Sequence, residues 1–168
     1  MNSLINEKIL VCYLITKFDN EDTLLTFLKN YQKFNSGYPH ELLICFKLFD
    51  NKRLNSFKQL LVNINHTEFI DDYVDNDFDL GSYSRVASYY SSRHIFFLNS
   101  YSYPVCKNWL KIIIDNYENN SILATSASYE SLLSSIELKK FYKLIGYLIK
   151  LFKYKKNFYP FPNPHIRT

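Results

Sequence analysis

Residues 9–15 read ILVCYLI, seven apolar side chains in succession, and this run narrows the fold more than any other feature of the chain. A strand with one face in water alternates apolar and polar residues. An uninterrupted run fits a strand buried on both faces, as inside a parallel sheet covered by helices. Polar residues follow at Thr16, Lys17, Asp19 and Asn20, so the run predicts a first, central strand that ends in a polar loop.

The pattern then repeats. Asn20 or Asp22 can cap a helix whose apolar face is Leu24, Leu25, Phe27, Leu28 and Tyr31, and Asn35-Ser36-Gly37 breaks it. Residues 41–49 (ELLICFKLF) predict a second strand, 54–62 a shorter helix and 66–73 (HTEFIDDY) a third strand. Strand, helix, strand, helix, strand is the order of an α/β fold: an open, mostly parallel sheet with helices on both faces and right-handed crossovers. Next, Asp79 can cap a helix with Tyr83, Val86, Ala87 and Tyr90 on one face, and Gly81 can take backbone angles closed to other residues. Residues 95–98 (IFFL) predict another strand buried on both sides. It stops at Asn99-Ser100-Tyr101-Ser102-Tyr103-Pro104. Beyond it the spacing predicts a helix over 108–117, a strand over 121–129, a long helix over 131–152 and a proline-extended tail over 159–168.

At 168 residues the chain has the length of one domain with a real core, and residues 1–168 are expected to form it. The 15 Tyr and 14 Phe match the bias of an AT-rich coding sequence, so they are not evidence for stacking on sugars or bases. The net charge of +4 hides an asymmetry. Glu68, Asp71, Asp72, Asp75, Asp77 and Asp79 make an acidic segment that reads mostly as solvated loop, whereas Lys139, Lys140, Lys143, Lys150, Lys153, Lys155 and Lys156 cluster near the end. The lysine-faced helix over 131–156 has three readings: an ordinary helix on the sheet, a partner site, or peripheral contact with an anionic membrane surface. Basic charge confined to one helix, with no binding motif, argues against nucleic acid as a partner. Cys12, Cys45 and Cys106 have neither disulfide nor metal spacing and read as buried free thiols of a cytoplasmic protein. No signal peptide and no membrane-spanning run is visible.

Ligands of open α/β sheets bind beyond the carboxyl ends of the strands. That rule selects Thr16, Lys17 and Asp19 after the first strand and Asn99, Ser100 and Tyr101 after the fourth. Each has a plainer reading: solvated loop for the first group, and for the second a turn that satisfies its own backbone. Asp79 is a cap that can also stand beside bound phosphate. Lys47 points along a strand end.

With these elements placed, the chain resembles the amino-terminal part of a GT-A-type (Rossmann-like) glycosyltransferase of the broad family 2 group. Three segments carry the likeness: Asp79-Leu80-Gly81-Ser82-Tyr83-Ser84 where such enzymes have an Asn-x-Gly-like turn, Ile95-Phe96-Phe97-Leu98-Asn99-Ser100-Tyr101 where their strand ends in Asp-x-Asp, and Phe161-Pro162-Asn163-Pro164-His165-Ile166-Arg167-Thr168, similar to a segment of a bacterial subgroup of polysaccharide glycosyltransferases. The resemblance implies transfer of a sugar from a nucleotide-diphosphate donor to a saccharide or lipid-linked hydroxyl acceptor, in the cytoplasm or at the inner face of the membrane. It puts the base and ribose near Thr16, Lys17 and Asp19, and the diphosphate near Asp79, Gly81, Asn99, Ser100 and Tyr101. His165 and Arg167 form a basic pair suited to the leaving diphosphate, or else belong to a frayed terminus. Asn99 and Tyr101 stand where the two metal-binding Asp are expected. An amide oxygen and a phenol are poor ligands for Mn or Mg, so the metal is held weakly with help from Asp79 or Asp75, or the enzyme is metal-independent, or activity is lost. The acceptor half and catalytic base of such enzymes follow the FPNPHIRT-like segment, so a chain ending there is expected to lack them. The alternative is a degenerate, non-catalytic nucleotide-sugar-binding or interaction module.

Overall fold

A computed structural model describes residues 9–74, 77–91, 94–118, 121–125, 127–128 and 165–166. The chain divides into two compact units, the first closing at Ser121 and the second opening at Ile122.

In the first unit, strands β1 (Ile9–Thr16), β2 (His40–Lys47), β3 (Thr67–Asp71) and β4 (Ile95–Leu98) form one sheet in the order β3-β2-β1-β4. Every pairing is parallel. β1 is interior, as its apolar run requires, and Ile9 through Ile15 are each at most 1 % exposed. Alternate residues of a strand point to opposite faces, and both faces are covered. Ile9, Val11, Tyr13 and Ile15 pack on one side against helices α1 (Glu21–Lys33), α2 (Asn51–Leu60) and α4 (Trp109–Asp115) through Leu24, Phe27, Phe57 and Trp109. Leu10, Cys12 and Leu14 pack on the other with Leu43, Cys45 and Val86, the last from helix α3 (Phe78–Tyr89). Each fully buried aliphatic side chain contributes about 1.5–3 kcal/mol of transfer free energy, which makes this two-sided core the main support of the sheet. The fold is α/β, an open parallel sheet between helices.

Several local expectations are corrected. IFFL forms β4, but it is an edge strand among the described residues and its four side chains are only half-buried. Asp79 does not cap α3: the helix begins at Phe78, Asp77 takes the N-cap position, and Asp79 sits in the first turn. Gly81 lies inside that helix and does not serve a special backbone angle. It is required for space, since a Cβ there would fall 1.8 Å from Asp77 Oδ2. On α3 Ala87 is exposed. Of the two proposed caps of α1, Asn20 acts, accepting from Thr23 N at 2.9 Å. Asp71 and Asp77 are held in ion pairs, not in solvated loop, whereas Asp72 is exposed. Cys106 is exposed while Cys12 and Cys45 are buried.

In the second unit, β5 (Ala127–Ser128) and β6 (His165–Ile166) pair antiparallel. The strand expected over 121–129 is thus seen in two residues, with 121–125 irregular. The lysine-faced helix, Asp75 and all of the tail except His165 and Ile166 lie outside the described residues. Among the described residues no helix is long and apolar enough to cross a membrane.

Candidate functional site

β1 pairs with β2 on one side and β4 on the other, so the chain reverses its direction of travel across the sheet between β1 and β4. In an open parallel sheet the loops after two such strands diverge and leave a crevice at their carboxyl ends. The loops after β1 and β4 carry Thr16, Lys17, Asp19 and Asn99, Ser100, Tyr101, so the strand order places these two groups side by side.

The β1 loop is pinned from within. Asp19 is 5 % exposed, and its Oδ2 accepts from Thr16 N at 2.7 Å and from Thr16 Oγ1 at 2.8 Å. The Arg53 guanidinium of α2 donates to the carbonyls of Lys17 and Asp19, and Lys17 N donates to Lys47 O at 3.0 Å. With its backbone tied, the loop presents Lys17 and Phe18 outward, Phe18 82 % exposed with the Lys17 ammonium 5.1 Å from its ring centroid. Asp19 Oδ1 has no hydrogen-bond partner among the described residues.

The β4 loop is a turn closed on Asn99. Its Oδ1 accepts from Tyr101 N at 3.1 Å and Ser102 Oγ at 2.7 Å, which leaves its amide nitrogen to donate. One long-range bond ties the β4 loop to β1 itself: the phenol of Tyr13, buried within that strand, donates to Ser100 O at 2.8 Å. The Tyr13 ring is stacked on Phe27, centroids 3.8 Å apart. Burial, with Asp19 and Tyr101 adding, raises the Tyr13 pKa, so the phenol stays a donor.

The third wall is the start of α3, fastened by an ion-pair cluster at the ends of β2 and β3. Lys47 Nζ donates to Asp77 Oδ1 at 2.7 Å and to the Phe78 carbonyl. Arg85 donates to Asp77 Oδ2 at 2.5 Å and, through Nε and Nη2, to both oxygens of Asp71 at 2.8 and 2.7 Å. Asp71 also accepts from Ser82 Oγ at 2.6 Å. Burial alone would raise the Asp71 carboxyl, but the bonds from Arg85 and Ser82 outweigh it and hold it below its ordinary value. Arg85 and Lys47 depress Asp77 to about 2. Asp79 differs. Burial pushes its carboxyl up, Lys47 opposes this, and Asp19 adds to it.

The sequence-predicted residues of the first unit lie on three segments that follow strands of the sheet: Thr16, Lys17 and Asp19 at and after the end of β1, Asn99, Ser100 and Tyr101 after β4, Asp79 and Gly81 in α3 after β3. Sequence reasoning missed Tyr13, Arg53 and Arg85. Tyr13 lies inside an apolar run and Arg53 and Arg85 on helices, where a single sequence shows no partner. Of the second unit, His165 lies in β6 and Arg167 outside the described residues.

The residues proposed for a metal do not fit a hard divalent cation. The Asn99 oxygen is engaged twice and Tyr101 is 78 % exposed, while Asp71 and Asp77 already neutralise Arg85 and Lys47. Among the described residues no group of three or more His, Cys, Asp or Glu could hold an ion. A separate cavity of about 220 Å³, lined by Tyr31, Phe34, Asn35, Ser36, His40 and Trp109, opens at the opposite end of the sheet. Its polar groups are bonded within the protein: His40 Nε2 lies 2.6 Å from Tyr31 Oη, Trp109 Nε1 donates to Phe34 O and Ser36 Oγ donates to Tyr38 O.

Fold and residues together define an α/β protein whose parallel sheet reverses its strand order between β1 and β4, with polar loops at the carboxyl ends of both strands. Comparison with protein-family models, with curated proteins and with solved structures finds no match.

Proposed function

We propose that the first unit binds a nucleotide-diphosphate sugar in the crevice between the β1 and β4 loops, and that the protein is a glycosyltransferase of polysaccharide or lipopolysaccharide assembly. The observation that carries this reading is the strand order, which sets Asp19 and Asn99 on loops after neighbouring strands, the β4 loop being tied to β1 by the Tyr13–Ser100 bond. The Asp19 oxygen that has no partner among the described residues is an acceptor for a ribose hydroxyl, and the exposed Phe18 ring offers a face to a flat base. Lys17 and the Asn99 amide are donors for the diphosphate, whose charge grows as the sugar leaves and must be met by preorganised donors. The acceptor is a saccharide or lipid-linked hydroxyl, and the reaction belongs at the cytoplasmic face of the membrane.

A second reading, a module that binds the donor without turnover, is favoured by the cluster at β2 and β3, where the carboxylates that could have served a cation are neutralised internally. Calorimetric titration with a panel of nucleotide-diphosphate sugars, with and without manganese, tests both. Saturable binding to at least one donor is expected. A folded sample that binds none of them contradicts the proposal, and transfer or hydrolysis by a binding-competent sample separates the enzyme from the module.

A further inference from the structure

Lys47 is the last residue of β2 and is 6 % exposed. Its carbonyl accepts from Lys17 N in the β1 loop, and its ammonium binds the Asp77 carboxylate and the Phe78 carbonyl at the start of α3. The next residue donates from Leu48 N to Asp71 O at the end of β3. The backbone on both sides of the ammonium is left-handed at residues with a Cβ, φ 59° at Leu48 and 50° at Phe78, a conformation that persists only where the surroundings impose it. Asp77 occupies the N-cap position of α3 yet makes no capping bond, because its two oxygens go to Lys47 and Arg85. The helix start is thus set by tertiary ion pairs in place of a local cap.

We infer that Lys47 is a positioning residue for the proposed site: by holding the Asp77 carboxylate and the Phe78 carbonyl together it fixes the first turn of α3, the turn that carries Asp79. Arg85 cannot substitute, since it reaches the other Asp77 oxygen and Asp71 and makes no bond to Phe78 O. Without the ammonium, Asp77 Oδ1 loses its partner while Oδ2 stays on Arg85, and Phe78 is released to leave the left-handed region. Only the consequence for ligand binding rests on the proposed donor site; the structural claim does not.

The test uses the full chain without ligand. Lys47→Met removes the cation, Lys47→Arg keeps one, and the double variant Lys47→Met with Asp77→Leu removes both charges without leaving a buried carboxylate unpaired. Hydrogen exchange at the amides of Gly81 and Ser82 is expected to rise at least tenfold in the Met and double variants and less in the Arg variant, while exchange at Tyr90 stays within twofold. If Lys47→Met does not fold, the double variant decides. Wild-type exchange at Gly81 and Ser82 in a folded double variant overturns the inference. In parallel, the double variant should bind uridine diphosphate glucose or guanosine diphosphate mannose, whichever the wild type binds, at least tenfold more weakly. Unchanged affinity beside faster exchange overturns the positioning role, whereas a wild type that binds neither probe counts against the donor site and leaves the exchange result to decide the structural claim.

Discussion

Replacing Tyr13 by Phe removes a single oxygen from the centre of the sheet. Tyr13 is fully buried, its ring is stacked on Phe27 at an interplanar angle of 12°, and its hydroxyl donates to Ser100 O at 2.8 Å across a sequence separation of 87 residues. A Phe side chain keeps the ring and the stack, so the packing contribution is preserved and the change isolates the hydrogen bond. What remains is the carbonyl of Ser100, itself only 9 % exposed, without its donor. Leaving a buried acceptor unsatisfied costs about 1–3 kcal/mol, which is roughly a 5- to 150-fold fall in the folding equilibrium constant. Urea denaturation should show the midpoint falling with the slope unchanged, because the same surface is exposed on unfolding. Exchange at the amides of Tyr101 and Ser102 should rise more than that of β1, since the freed segment is the β4 loop. A Tyr13→Phe protein within about 0.5 kcal/mol of wild type, the scatter of ordinary surface substitutions, would refute the argument that this bond fastens the β4 loop to β1.

Four further outcomes follow from the same structure. Gly81→Ala should destabilise the protein although Ala is favoured over Gly inside a helix by about 0.5–1 kcal/mol, because the new Cβ would fall 1.8 Å from Asp77 Oδ2 and force that carboxylate off Lys47 and Arg85; thermal or urea unfolding gives the sign. Asp77, depressed to about 2, contributes stability that is present above the ordinary carboxyl range and is lost as pH falls from about 4 to about 2. Denaturation across that range should therefore show a flatter pH dependence for Asp77→Asn. Asp79 has the opposite sign: its raised carboxyl takes up a proton more readily folded than unfolded, so Asp79→Asn should increase stability at pH 7. Thiol labelling of the native protein should modify Cys106 quickly, and Cys12 and Cys45 only at the rate of unfolding.

What was legible in the sequence is what local chemistry decides. The unbroken run 9–15 reports burial on both faces, and β1 is interior. The helix-strand alternation implies a parallel sheet, and that in turn points to the strand ends where Thr16, Asp19 and Asn99 are found. The run 95–98 misled because four apolar residues say nothing of how many neighbours a strand has, and β4 proved to be an edge among the described residues. Asp79 and Gly81 were read as a cap and a flexible turn since both are local devices. The start of α3 is governed instead by Lys47, 30 residues away from Asp77. Arg85 and Tyr13 were illegible for the same reason: their partners are distant in sequence.

Residue-resolved NMR of the full chain during titration with a nucleotide-diphosphate sugar tests the donor-site claim most directly. The account predicts saturable shifts confined to residues 16–19, 79–81 and 99–102, at the carboxyl ends of β1 and β4 and the start of α3. Saturable shifts confined to Tyr31, His40 and Trp109 at the other end of the sheet, or no saturable shift with any donor, would contradict it.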